Sequence, residues 1–147
     1  MIKTVAFGCD HGGFDYKEVI INHLKEKGYN VIDCGCNGTA SVDYPVYADK
    51  VCSCITDKGA DLGILICGTG IGMSIAANKH KGIRAACCEN TFSAKMTRAH
   101  NDSNVLCLGA RVIGYGLALD MIDLFLETEF MGDRHAKRVE MLNDLDK

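Results

Sequence analysis

The stretch Ile64–Ser74, ILICGTGIGMS, is an apolar run that ends on a cysteine and passes at once into a turn in which every second residue is glycine. Four to eight consecutive apolar residues closed by such a turn read as a strand buried on both faces, here over 62–66, with a helix opening near residue 71. A buried strand feeding a helix is half of a strand–helix–strand unit. The rest of the chain supplies the other halves.

Short apolar runs recur at 3–8, 30–34, 83–87 and 104–108, each separated from the next by a segment of helical spacing, the alternation that builds a parallel sheet. Phe14, Val19, Ile20 and Leu24 share one helical face that stops at Gly28, and Pro45 opens a second helix that stops near Gly59. Further helices are predicted over 71–80, 91–100, 115–129 and 134–145. The expectation is an α/β fold: one domain over 1–147, a five-stranded parallel sheet in an αβα sandwich, Rossmann-like or flavodoxin-like. The common strand order 2-1-3-4-5 would place the ends of strands 1 and 3 beside the switch point where such sheets bind ligands. Two turns fall there, GCDHGG after strand 1 (Gly8–Gly13) and CGTGIG after strand 3 (Cys67–Gly72).

Length and composition narrow the class. A chain of 147 residues, 48% hydrophobic and 24% charged, is the size and balance of one globular domain. No apolar run approaches the ~18 residues of a membrane span, and MIKTVAFGCDHGG passes directly into a strand pattern rather than a secretory signal. The chain therefore reads as cytoplasmic. A net charge of −3 with five arginines argues against a nucleic-acid footprint. The nine cysteines are odd in number, and most of them, among them Cys34, Cys36, Cys52, Cys54, Cys87, Cys88 and Cys107, sit in apolar patterns and read as reduced core residues. With no C-x-x-C and no H-x-x-x-H, the spacings favour neither a structural metal nor a thiol redox pair.

Gly68, Gly70 and Gly72 let backbone N–H groups converge at a helix start, a geometry suited to a phosphate or to an oxygen that becomes negative during reaction. Helix packing would account for one or two of these glycines; three beside a cysteine favour a functional turn. It is not a Walker A loop, because Met73 follows the last glycine. It is not a dinucleotide fingerprint either, having G-x-G-x-G after the third strand rather than G-x-G-x-x-G after the first. A thiol phosphatase would need an arginine where Met73 stands. Cys67, at a strand end facing a helix N-terminus, is where a thiolate is stabilised and can take a proton or attack carbon.

Asp10 and His11 follow strand 1 into the same crevice and suit sugar hydroxyls or phosphate, although an Asx turn with a solvent-facing histidine would look the same. His100-Asn101 is either a site pair or a helix stop. Arg134 and Arg138, one helical turn apart, can address one anion from one face, with Asp133 and Glu140 offering an ordinary ion-pair surface instead. His23 and His80 read as surface residues.

Together GCDHGGF, DYP (43–45), ICGTGIGMSIAANK, RAHND (98–102) and GDRHAKRV (132–139) closely resemble the ribose-5-phosphate isomerase B family, in order along essentially the entire chain. The wider family includes galactose-6-phosphate and allose-6-phosphate isomerising members. The resemblance implies interconversion of ribose 5-phosphate and ribulose 5-phosphate through a cis-enediolate, without a metal or cofactor. It implies Cys67 as the base between C1 and C2, the amides of Gly68, Thr69, Gly70, Ile71 and Gly72 around the enediolate oxygen, and Thr69 as a proton relay. It implies His100 as the group that opens the furanose ring with help from Asp10, Asn101 on a substrate oxygen, and His11, Arg111, Arg134 and Arg138 on sugar or phosphate. Relatives without the cysteine carry a glutamate where this chain has Met73, and many carry glycine where it has Asp133.

His100 and Asn101 precede strand 5 and so lie toward the opposite edge of the sheet from Cys67. The expectation is a homodimer with shared active sites, with association of two dimers left open. Three other readings stand beside it: an isomerase of a six-carbon sugar phosphate, a non-catalytic sugar-phosphate sensor, and a thiol redox protein. The galactose enzymes use two complementary chains, whereas this one holds every motif itself. A sensor would have no need of a base at Cys67.

Overall fold

A computed structural model of the chain describes residues 3–146. Five parallel strands, β1 (Thr4–Cys9), β2 (Asn30–Asp33), β3 (Leu62–Cys67), β4 (Ala85–Cys87) and β5 (Val105–Gly109), form one sheet. Six helices surround it: α1 (Lys17–Glu26, preceded by a 3₁₀ turn at Phe14–Tyr16), α2 (Tyr44–Thr56), α3 (Ile71–Ala77), α4 (Thr91–Asn101), α5 (Tyr115–Glu127) and α6 (Arg134–Asn143). The αβα sandwich is the one expected.

Strand alternation explains the two cores. Val5, Phe7, Cys9, Ile64, Ile66, Leu106 and Leu108 point to one face, where they meet Ile20 and Leu24 of α1, Ala94 of α4 and Met121, Ile122 and Phe125 of α5. Ala6, Leu65, Cys67, Val105 and Cys107 point to the other, against Ala48, Val51 and Cys52 of α2 and Met73 and Ala77 of α3. On that second face the small residues are there to admit a helix. A side-chain carbon at Gly8 or Gly63 would come within 2.7 Å of the Val51 side chain.

The strand order differs from the expected one: it is β2-β1-β3-β5-β4. β5 pairs with β3 from Gly63↔Val105 to Cys67↔Gly109, while the three-residue β4 takes the edge. Burial explains the exchange, since β5 is buried at every position and needs neighbours on both sides, whereas β4 is only partly covered. The consequence is functional. The residues that leave β5 emerge beside Cys67.

Helix ends follow the sequence punctuation with small offsets. α1 stops as expected before Gly28, whose φ of 91° puts it in the left-handed region where a helix ends cheaply only on glycine. α3 is shorter than the predicted 71–80, because Asn78 leaves the helical pattern to bond both backbone groups of Ala85 on edge strand β4, at 2.8 and 2.9 Å. α5 and α6 end two residues before the predicted limits, at Glu127 and Asn143. Among the described residues no helix is long and apolar enough to cross a membrane.

Candidate active site

Cys67 is the last residue of β3, 5% exposed, and its side chain lies on the α2/α3 face. The chain then turns through Gly68, Thr69 and Gly70, the last with φ 81°, before α3 starts at Ile71. That conformation swings the Gly70 N–H back onto the thiol, and it donates to Cys67 Sγ at 3.1 Å. A side chain at Gly70 would lie within 2.9 Å of the Leu108 backbone, so both the φ and the space require glycine. Thr69 Oγ1 accepts from the Ile71 N–H at 3.3 Å, which leaves its own O–H free to donate outward.

The loop after β1 is packed against this turn. Asp10, 6% exposed, accepts from the N–H groups of Gly12 (2.8 Å) and Gly13 (3.2 Å) through a single oxygen, Oδ1. The Asx turn allowed for in the sequence is therefore real, and it leaves the other carboxylate oxygen uncommitted among the described residues. Gly12 lies so close to the second turn that a side-chain carbon there would be 2.9 Å from the Gly68 nitrogen. His11 receives the Val42 N–H on Nδ1 at 3.1 Å. That bond makes Nδ1 the acceptor, so the neutral ring carries its proton on Nε2 and presents a donor.

Arg111 follows β5, and its backbone N–H donates to the Gly68 carbonyl at 3.0 Å while Ala110 N–H donates to that of Cys67 at 2.9 Å. Its side chain runs along Gly68, near enough that a Cβ there would sit 3.4 Å from Nη1. Cys67, the Gly68–Gly72 turn, Asp10, His11 and Arg111 thus share the C-terminal end of the sheet.

The remaining expected site residues form a second group elsewhere. His100 and Asn101 end α4, immediately before the start of β5. Since Val105 is level with Gly63 and Gly109 with Cys67, β5 begins four residues below the thiol, roughly 13 Å along the strands. Arg84 binds the carbonyls of Asn101 (3.2 Å) and Asp102 (2.8 Å), holding this end of α4 near the start of β4. His100 stacks on His135 of α6, with ring centroids 4.2 Å apart and planes 10° from parallel. Arg134 and Arg138, both exposed, flank His135 on the same helix. One chain carries two groups of polar residues at opposite ends of its sheet.

Three neighbours of these groups were given no site role in the sequence. Tyr44 lays its ring over Gly72, where a side-chain carbon would meet it at 2.7 Å; DYP carried the signal only as part of a resemblance. Cys87, exposed where a core residue was expected, directs its thiol at the Thr69 carbonyl, 3.7 Å away. His135 carried a signal only as part of GDRHAKRV in the same resemblance, standing between two arginines. His23 and His80, read as surface, are half-buried and paired with Asp123 (2.7 Å) and Asp49 (2.8 Å).

All nine cysteines are free thiols. Burial pushes Cys52 up to about 12 and Cys88 to about 11, and burial together with a neighbouring thiol takes Cys9 and Cys34 to about 12. These remain protonated at neutral pH and behave as small apolar residues. Met73, on the inner face of α3, is completely buried. Among the described residues no three His, Cys, Asp or Glu side chains come together as a metal cluster would.

Known proteins resemble the chain over nearly its whole length. A family model described as Ribose/Galactose Isomerase matches residues 5–142. The ribose-5-phosphate isomerase B of Escherichia coli is 47% identical over 146 residues, covering 99% of this chain and 98% of the relative. A ribose-5-P isomerase B from Listeria innocua is 41% identical, with 97% of each chain covered. Among solved structures, ribose-5-phosphate isomerase B from Clostridium thermocellum superposes with a TM-score of 0.95 at 51% identity, covering 97% of this chain and 96% of that one. Matched over nearly its whole length in both sequence and fold, the chain belongs to the ribose/galactose isomerase family.

Proposed function

We propose that the protein interconverts D-ribose 5-phosphate and D-ribulose 5-phosphate through an enediolate, with Cys67 as the base. The observation that carries this reading is the Gly70 N–H directed onto Cys67 Sγ at 3.1 Å. It stabilises the thiolate that must form before the residue can act as a base. The thiolate removes the proton from C2 of the open aldose, the C1 carbonyl becomes the enediolate oxygen, and return of the proton to C1 leaves the ketone at C2. The Ile71 N–H is held by Thr69 Oγ1, and in this reading the remaining N–H groups of the 68–72 turn serve the developing charge. Removing one such donor commonly costs about 10² to 10³ in rate.

Thr69, with its hydroxyl hydrogen free, relays the proton between O1 and O2. His11 offers Nε2–H, and Arg111 a guanidinium, to sugar or phosphate oxygens. The furanose must open first, and His100 moves the proton between O1 and the ring oxygen, with Asp10 assisting from the other side. Asn101 holds a substrate hydroxyl, and Arg134 and Arg138 hold the phosphate with paired donors. Because His100 and the terminal arginines lie at the far end of their own sheet, each site takes them from a second copy of the chain. The active unit is a homodimer with two shared sites. Nine free thiols fit the reducing cytoplasm.

The test is formation of ribulose 5-phosphate from ribose 5-phosphate by the purified protein in EDTA, beside Cys67→Ala. Turnover should survive chelation and fall by at least about 10³ in the variant. Turnover retained by Cys67→Ala would mean that the base lies elsewhere. Turnover only with six-carbon sugar phosphates would reassign the substrate.

A further inference from the structure

His135 belongs to neither the catalytic turn nor the pair of arginines that flank it. It is 6% exposed, and its Nε2 is buried with no hydrogen-bond partner among the described residues. A leucine or methionine would fill the same space without stranding a polar atom, so packing alone gives no reason for an imidazole here. What the ring does touch is His100. The two imidazoles lie face to face, 4.2 Å between centroids and 10° from parallel, and no hydrogen bond from a described residue holds either ring.

The platform under this stack is fixed independently. Met131 N–H donates to the Ala99 carbonyl at 3.0 Å, pinning the chain that leads into α6 to the end of α4, and His135 N–H donates to Gly132 at 3.0 Å. Arg84 and Arg98 secure the other side of the α4 terminus through Asp102 and Ser103. The backbone at His100 is therefore held on both sides, and the remaining freedom is rotation of its side chain. We propose that His135 is a positioning residue for His100: its flat ring sets the plane in which His100 offers its nitrogens to the substrate. The inference rests on the reading of His100 as the ring-opening group.

The charges around the pair favour one neutral partner. Burial and the nearby His100, Arg134 and Arg138 side chains hold His135 below the usual histidine range, against the opposing pull of Asp133. A neutral ring can stay stacked when its neighbour takes up a proton, whereas two imidazolium rings in this arrangement would repel each other.

The experiment compares His135→Ala, His135→Phe, His100→Ala and the double variant His100→Ala/His135→Ala, with thermal unfolding measured alongside. His135→Ala should lower kcat for ribose 5-phosphate by about ten- to a hundredfold, with KM within about threefold because the arginines are untouched. His135→Phe restores a flat ring and should recover part of the loss. In the His100→Ala background, removal of His135 should cost nothing further. A helix-packing role would instead raise KM through Arg134 and Arg138 and lower the residual activity of His100→Ala as well; either result overturns the proposal. Undiminished turnover by His135→Ala beside an impaired His100→Ala overturns it alone, whereas undiminished turnover by His100→Ala removes the reading of His100 and this inference together.

Discussion

Asp133 shows how one residue can be locally unfavourable. It precedes α6 with φ 51° and ψ −130°, a positive-φ conformation that suits glycine, and its side chain makes no capping bond. A residue with a Cβ is strained there, and a carboxylate beside Arg134 competes with any phosphate that the arginine binds. Asp133→Gly should raise stability by about 1 kcal/mol in urea unfolding and lower KM for the sugar phosphate. His80 illustrates a titrating contact. Burial lowers its pKa, but the hydrogen bonds to Asp49 and to the carbonyls of Ala77 and Ala76 outweigh this and lift it above the ordinary 6.5. A raised value in the folded state means that the contribution is full below about pH 6.5 and is lost as pH rises through the folded pKa. Asp49→Asn should therefore lower the unfolding midpoint at pH 6 and leave it nearly unchanged at pH 9. The effect will be modest, because Asp49 is 66% exposed.

At the scale of elements, the glycine turn after β3 is shaped from outside. Gly13 lies where a side-chain carbon would be 2.5 Å from the Ile66 carbonyl oxygen, one residue before the thiol. Gly13→Ala should push the Asp10 loop off the end of β3 and cost about 10² in kcat/KM through misplacement, measurable at pH 7 with saturating and limiting substrate. This closeness explains what could be read in advance. The GCDHGG and CGTGIG turns are local chemistry, and strand alternation leads both to the same end of the sheet, so Asp10, His11 and Cys67 were legible as neighbours. Arg111 came into that group by resemblance alone. Its place there depends on β5 pairing with β3, a choice made by burial of whole strands that short apolar runs of similar length do not reveal. Tyr44 was hidden for the same reason: its contact with Gly72 joins the start of α2 to the start of α3 across 28 positions of sequence. The His100–His135 stack likewise pairs two helices that share no sequence pattern.

For the molecule as a whole, the separation of the two groups has a quantitative consequence. Cys67→Ala and His100→Ala should each be nearly inactive as pure proteins. If the sites are shared across a homodimer as proposed, then after refolding in equal amounts half of the dimers carry one of each, and each such dimer has one unaltered site and one site lacking both groups. Activity should return to about a quarter of the unaltered level, read as initial rate against total protein. A mixture no more active than its components would show that each chain builds its site alone. The same layout bears on inheritance. If each site joins the thiol of one chain to the imidazole of another, a gene that encodes both can be copied, and each copy can then lose a different end without loss of catalysis, provided the products pair. Neither copy could afterwards be discarded, so a single self-sufficient chain would have become two obligate partners with no new chemistry having arisen.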